Sequence, residues 1–134
     1  MASEGKKTEY RSFEDLDTYK MARQFRKKIY NLSRELPEYE KYNLASQMRR
    51  AAVSLTNSIA EGHGRFHYQE NIQFLRQSRG SLEELIDHIN VCIDESYVDQ
   101  NRLSKLKEEG YEVLKKLNGY IKYLQKCKQG MTKV

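Results

Sequence analysis

His63 and His67 lie four residues apart with Glu61 and Glu70 close by, which is the densest gathering of acid–base groups in the chain. A His-x-x-x-His pair binds zinc when both rings share one face of one helix. Here Gly64 falls between them and no matching ligand pair occurs elsewhere. Di-iron bundles need a Glu-x-x-His pair from each of two helices, and His88 follows Glu84 by four, not three. Cys92 and Cys127 are too few for a disulfide framework or a zinc site, and read as reduced, partly buried thiols. There is no phosphate-binding Gly-rich loop, no Gly-x-Ser-x-Gly turn and no Cys–His constellation. No catalytic residue, metal or cofactor is therefore expected. A metal-dependent enzyme built on His63 and His67 would have to carry stoichiometric metal.

Binding chemistry is better represented. From Val113 to the C-terminus the chain has six lysines and no acid: Lys115, Lys116, Lys122, Lys126, Lys128 and Lys133. With Arg49 and Arg65, the lysines at 115, 116, 122, 126 and 128 are the candidates for phosphate contact on RNA or DNA. Lysines in a last helical turn also complement the helix dipole, and both readings stand. Ten tyrosines offer rings that stack on unpaired bases, though Tyr19 and Tyr120 fall at or beside apolar stripes and are more simply packing.

A second constellation sits between residues 43 and 61. At about 100° per residue, Asn43, Gln47, Arg50, Ser54, Asn57 and Glu61 fall on one narrow helical stripe. A solvated face usually shows Lys and Glu. Amides, a hydroxyl and one Arg, beside Ala45, Ala52 and an outward Val53, suit a subunit interface, where Lys is depleted and Arg favoured. An ordinary exposed face is the alternative.

These residues need elements to position them. The chain has 134 residues, 38% hydrophobic and 32% charged, with a net charge of +5 and a mean hydropathy of -0.89. That is one domain, too polar for a membrane protein, and no apolar run approaches a spanning helix. One Pro and seven Gly are few for an all-β fold. The N-terminus lacks the apolar core of a signal peptide, so a cytoplasmic location is expected. Apolar residues recur at steps of three and four in four segments. The first runs from Phe13 to Leu36, capped by Ser12 and stopped by Pro37. The second runs from Tyr42 to Ala60, with Gly62 and Gly64 expected to end it in left-handed geometry. The third runs from Tyr68 to Glu95 through Ile72, Leu75, Arg79, Leu82 and Ile86, with Gly80 expected to permit a close helix–helix approach. The fourth runs from about Asp99 or Asn101 to Cys127. The pattern predicts an up-and-down antiparallel four-helix bundle over 13–128, with a flexible arm over 1–12 and a frayed tail over 129–134. Such a bundle is electrically polarised: residues 1–22, 58–72 and 115–134 share one end and carry -1, -1 and +6, while 33–45 and 90–104 share the other and carry -1 and -2.

Ser46-Gln47-Met48-Arg49-Arg50-Ala51-Ala52-Val53-Ser54-Leu55, followed by Ile59-Ala60-Glu61-Gly62-His63-Gly64-Arg65, resembles the signature of the four-helix-bundle proteins also called 23S rRNA intervening-sequence proteins. Phe13-Glu14-Asp15-Leu16, Phe74-Leu75 and Gly80-Ser81-Leu82-Glu83-Glu84-Leu85 extend the likeness over roughly 13–125. The resemblance implies a four-helix bundle that assembles with itself as a homopentameric ring, and no assigned enzymatic activity. It also implies a distant kinship to the basic accessory proteins of diversity-generating retroelements, which bind a reverse transcriptase and nucleic acid. The expected function is thus RNA or DNA binding by an oligomer, with a protein scaffold that docks a reverse transcriptase as the alternative. Where the family usually has Pro this chain has Thr56, and its Ser-Asn is here Asn57-Ser58. An Asn moved by one residue turns about 100° around the helix, and Thr56 restores a backbone donor, which predicts a straighter second helix.

Overall fold

Stripes of apolar residues at helical spacing can leave water only by facing one another, and four such stripes close around one core. The computed structural model describes residues 12–132, and among these the chain is all-α. The helices are α1 (Asp17–Arg34), α2 (Leu44–His63), α3 (Tyr68–Asp94) and α4 (Gln100–Thr132). Each packs on its neighbours in the chain, α4 returns against α1, and the backbones of the diagonal pairs stay apart across the shared core. This is the up-and-down bundle that the periodicity predicts. Its core is built from Phe25, Ile29 and Leu32 of α1, Met48, Leu55 and Ile59 of α2, Leu75, Leu82, Leu85 and Ile89 of α3, and Leu103 and Leu117 of α4.

Polar links fix the register. Ser78 Oγ, wholly buried, donates to the Leu55 carbonyl at 2.7 Å and locks α3 to α2. Arg102 reaches Glu35 at 2.6 Å, joining the start of α4 to the end of α1. Lys28 pairs with Glu109 at 2.7 Å along the same seam. At the opposite end Lys128 donates to Gln69, which holds the last turns of α4 beside the first turn of α3.

Several local expectations change. The first turn, Phe13–Asp15, is a 3-10 turn: Ser12 Oγ does accept from Glu14 N at 3.1 Å, but extended backbone at Leu16 then turns that side chain into the core. α2 starts at Leu44, and its first amide is capped by Glu40 Oε1 at 3.2 Å from the preceding 3-10 turn Glu38–Glu40. α2 then continues unbroken through Gly62 to His63, and no described glycine has a positive φ. Gly62 is needed for space: a Cβ there would lie 2.7 Å from Asn71 Oδ1 and 2.9 Å from Phe74 Cβ. Gly80 does the reverse of what is expected. It is exposed and a Cβ would meet nothing within 4 Å, whereas Gly110 admits Ile86 and Phe25, at 3.0 and 3.2 Å from its would-be Cβ. Arg79 leaves the core stripe to Ser78 and donates outward to Asn118 at 2.9 Å. α4 runs to Thr132, past the expected end near Cys127, so the frayed tail is helical over 129–132. The expected N-terminal arm lies, apart from Ser12, outside the described residues, as does Lys133.

Candidate nucleic-acid and subunit interfaces

α4 presents its lysines by simple helix geometry. Leu117, Ile121 and Leu124 are buried. Lys115, Lys122 and Lys126, at steps of seven and four, therefore share the outward face, and all three are exposed. Lys116 turns toward α1, where it lines a groove of about 700 Å³ with Lys115, Leu16, Met21, Tyr120 and Tyr123, and with two acids, Asp17 and Glu112. Lys128 turns toward α3 and Gln69. Five lysines thus run along about 20 Å of one helix with no acid among them. The Tyr123 phenol is held above its ordinary value, first by its hydrogen bond with Cys127, then by the nearby Cys127, Tyr68 and Tyr120. That places three tyrosines together where α4 ends and α3 begins.

The two arginines behave differently. Arg65, just past α2, bonds Glu61 Oε2 at 3.2 Å and lays its guanidinium 4.7 Å from the centre of the Phe74 ring. It belongs to the same end as the α4 lysines, with part of its charge answered by Glu61. Arg49 does not join them. It lies in the second turn of α2 and lines a groove with Tyr30, Arg34, Pro37 and Lys41 at the other end of the bundle. About 21 Å of helix runs from Arg49 to His63, and Arg65 lies two residues beyond that end.

The stripe on α2 faces out as expected, and its members differ in how they are held. Asn43 donates to Glu40 at 3.2 Å and accepts from Gln47 at 3.4 Å. Ser54 accepts from Ser81 of α3 at 2.8 Å. Glu61 holds Arg65. Arg50 and Asn57 are exposed and have no hydrogen-bond or ion-pair partner among the described residues. Val53, on the same outer side, is 38% exposed. Gln47, Arg50, Ala51 and Ser54 line a shallow groove of about 230 Å³ whose other wall is Ser81 and Glu84 of α3. Spacing alone gives those two α3 residues no role, although they fall in the family-like segment Gly80–Leu85. Glu84 also takes a 3.2 Å contact from the buried His88.

Among the described residues no group of three or more His, Cys, Asp or Glu side chains could hold a metal. His63 ends α2 and His67 precedes α3, so the two rings belong to different elements. Cys92 is buried and its thiol is pushed up to about 11, first by burial and then by the charge of Glu40. No described helix is long and apolar enough to cross a membrane.

Among curated proteins none matches the chain. A family model does, over residues 14–119, which takes in the α2 stripe, its α3 wall and, of the candidate lysines on α4, Lys115 and Lys116. By that match, and by the four-helix architecture that carries it, the chain belongs to the 23S rRNA-intervening sequence protein family.

Proposed function

We propose that this protein is a non-catalytic RNA-binding bundle that acts in the cytoplasm as a homopentameric ring. The observation that supports it most is the run of α4 lysines past Val113, which contains no acid. Lys115, Lys122 and Lys126 stand outward, flanked by Lys116 and Lys128, and repetition around a ring multiplies such contacts with a phosphate backbone. The family's name associates it with rRNA-gene insertions. The unpartnered Arg50 and the half-open Val53 on α2 support self-assembly through that stripe and its Ser81–Glu84 wall. The two free thiols suit a reducing compartment.

Size-exclusion chromatography with light scattering and absorbance at two wavelengths tests the reading. With no Trp and ten Tyr, the chain absorbs weakly, so bound nucleic acid shows as a 260 nm excess. A mass near five times 15.9 kDa, with a 260 nm excess lost at high salt, is the expected result. A ring of that mass that binds no nucleic acid at low salt favours a protein scaffold of the retroelement-accessory kind instead. Arg50→Glu is expected to yield monomers, and an unchanged mass removes the α2 stripe from the interface.

A further inference from the structure

Phe66 stands at the tip of the α2–α3 turn with 92% of its surface in water, more than any other large apolar side chain in the described residues. Burial of an aromatic ring is favourable, yet nothing among the described residues covers this one. Among the described residues its only ring neighbour is His67, edge-on at 5.0 Å. The preceding Arg65 does not shield it, because its guanidinium is held back on Phe74 and Glu61. The same end of the bundle holds two further open rings, Tyr68 (36%), two residues on, and Tyr123 (61%) of α4, which lies close enough to Tyr68 to feel its charge. The Lys128–Gln69 bond brings the end of α4 to the same place, and Lys122 and Lys126 stand exposed there. Open aromatic rings and exposed lysines gathered at one end of the bundle match the two parts of an unpaired strand, its bases and its phosphates. A duplex hides its base faces and offers such rings nothing.

We infer that the ligand of this end is single-stranded RNA, with Phe66 stacking on an unpaired base while Lys122, Lys126 and Lys128 follow the backbone. The inference rests on the nucleic-acid reading above and narrows its substrate class. Tyr68 and Tyr123 extend the platform by one or two bases. A membrane is the other partner that takes exposed rings beside lysines. The hydroxylated tyrosines and the absence of a continuous apolar face here favour bases over acyl chains.

The lack of Trp makes the test direct, since Phe66→Trp places a single indole at the tip. Anisotropy is read with a labelled, unstructured RNA strand of about 20 nucleotides and with the matching duplex. Phe66→Ala is expected to weaken the strand about tenfold and the duplex less than about twofold. Phe66→Trp emission is expected to be quenched by the unlabelled strand to saturation and not by the duplex. Phe66 makes no core contact, so helix content and thermal midpoint should match wild type, which separates binding from folding. If wild type binds RNA, Lys126→Glu weakens it, and yet Phe66→Ala binds as wild type and the indole is not quenched, stacking is overturned while nucleic-acid binding stands. If wild type binds neither strand nor duplex at low salt, the nucleic-acid reading itself has failed and the inference goes with it. If phosphatidylserine vesicles blue-shift the indole and RNA leaves it unmoved, the tip is a membrane contact and the inference is overturned.

Discussion

Thr56 keeps the backbone ladder of α2 unbroken, and its hydroxyl has a partner of its own. It accepts from Arg26 Nη1 of α1 at 2.7 Å and lies 3.3 Å from the Val53 carbonyl to which it donates. Thr56 is buried and Arg26 half-buried, so the bond joins two helices across a partly dry seam. Thr56→Val keeps the shape and removes the acceptor. A hydrogen bond to a charged group is worth about 1.5–3 kcal/mol. Arg26 recovers some water, so a loss near the lower bound, about 1.5 kcal/mol, is expected in urea unfolding, with Thr56→Ser close to wild type. A Thr56→Val protein as stable as wild type would show that the bond contributes nothing. Glu40 carries a different kind of stability. Its carboxylate accepts from Tyr97 Oη at 2.6 Å, from Asn43 at 3.2 Å and from the first amide of α2 at 3.2 Å, while Tyr39 donates to Tyr97 at 3.2 Å. The Tyr97 bond, chiefly, holds this carboxyl below its ordinary value of 4.5. Glu35 is likewise lowered by Arg102. A lowered carboxylate stabilises the fold fully above its unfolded value and loses that contribution as pH falls through the folded one. Unfolding free energy is therefore expected to decline below about pH 4.5, and Tyr97→Phe should be less stable at neutral pH with a shallower acid decline. Parallel pH curves for the two proteins would detach Glu40 from the acid transition.

At the scale of the helices, glycine separates what spacing can say from what it cannot. Gly62 and Gly80 look alike in sequence, each a glycine in or near a helical run. Only the packing shows that Gly62 is pressed against Asn71 and Phe74 while Gly80 faces open space. Their alanine variants should move stability in opposite directions. Gly62→Ala overfills the α2–α3 contact, at a cost of about 1–3 kcal/mol. Gly80→Ala removes a poor helix former and gains about 1 kcal/mol. Thermal melts read both signs, and a destabilised Gly80→Ala would mean that a second subunit approaches that face. The same limit applies elsewhere. Four helices, their order and most of their buried stripes follow from period alone, because burial of one face is what sets the period. Which residue of a neighbouring pair is buried does not follow, so Ser78 takes the place expected of Arg79: a serine reaches the Leu55 carbonyl where an arginine cannot be desolvated. The α2 stripe is legible because its residues lie in one helix. Its wall of Ser81 and Glu84 is not, because only the fold sets α3 beside them. Phe66 escapes a reading of the sequence for a related reason. Nothing in a loop's periodicity says whether its aromatic ring turns in or out.

Over the whole molecule the question is whether charge acts as a total or as a place. A net charge of +5 would draw any polyanion, wherever the lysines lay. The fold, however, divides the candidates: Lys115, Lys122 and Lys126 share the outer face of α4, and Arg49 lies at the far end among Arg34 and Lys41. Single charge reversals at Lys126 and at Arg49 change the total equally and the places differently. For single strands, log K falls with log salt at a slope of about 0.7 per phosphate that the protein neutralises. Lys126→Glu is expected to flatten that slope by about this amount for each protomer that holds RNA and to weaken binding most at low salt. Arg49→Glu should leave the slope where it was, with only a small loss of affinity from the lower net charge. Equal slopes and equal losses in the two variants would mean that the bundle attracts RNA by its overall field. The α4 face would then be a helix end complementing its own dipole and no binding site.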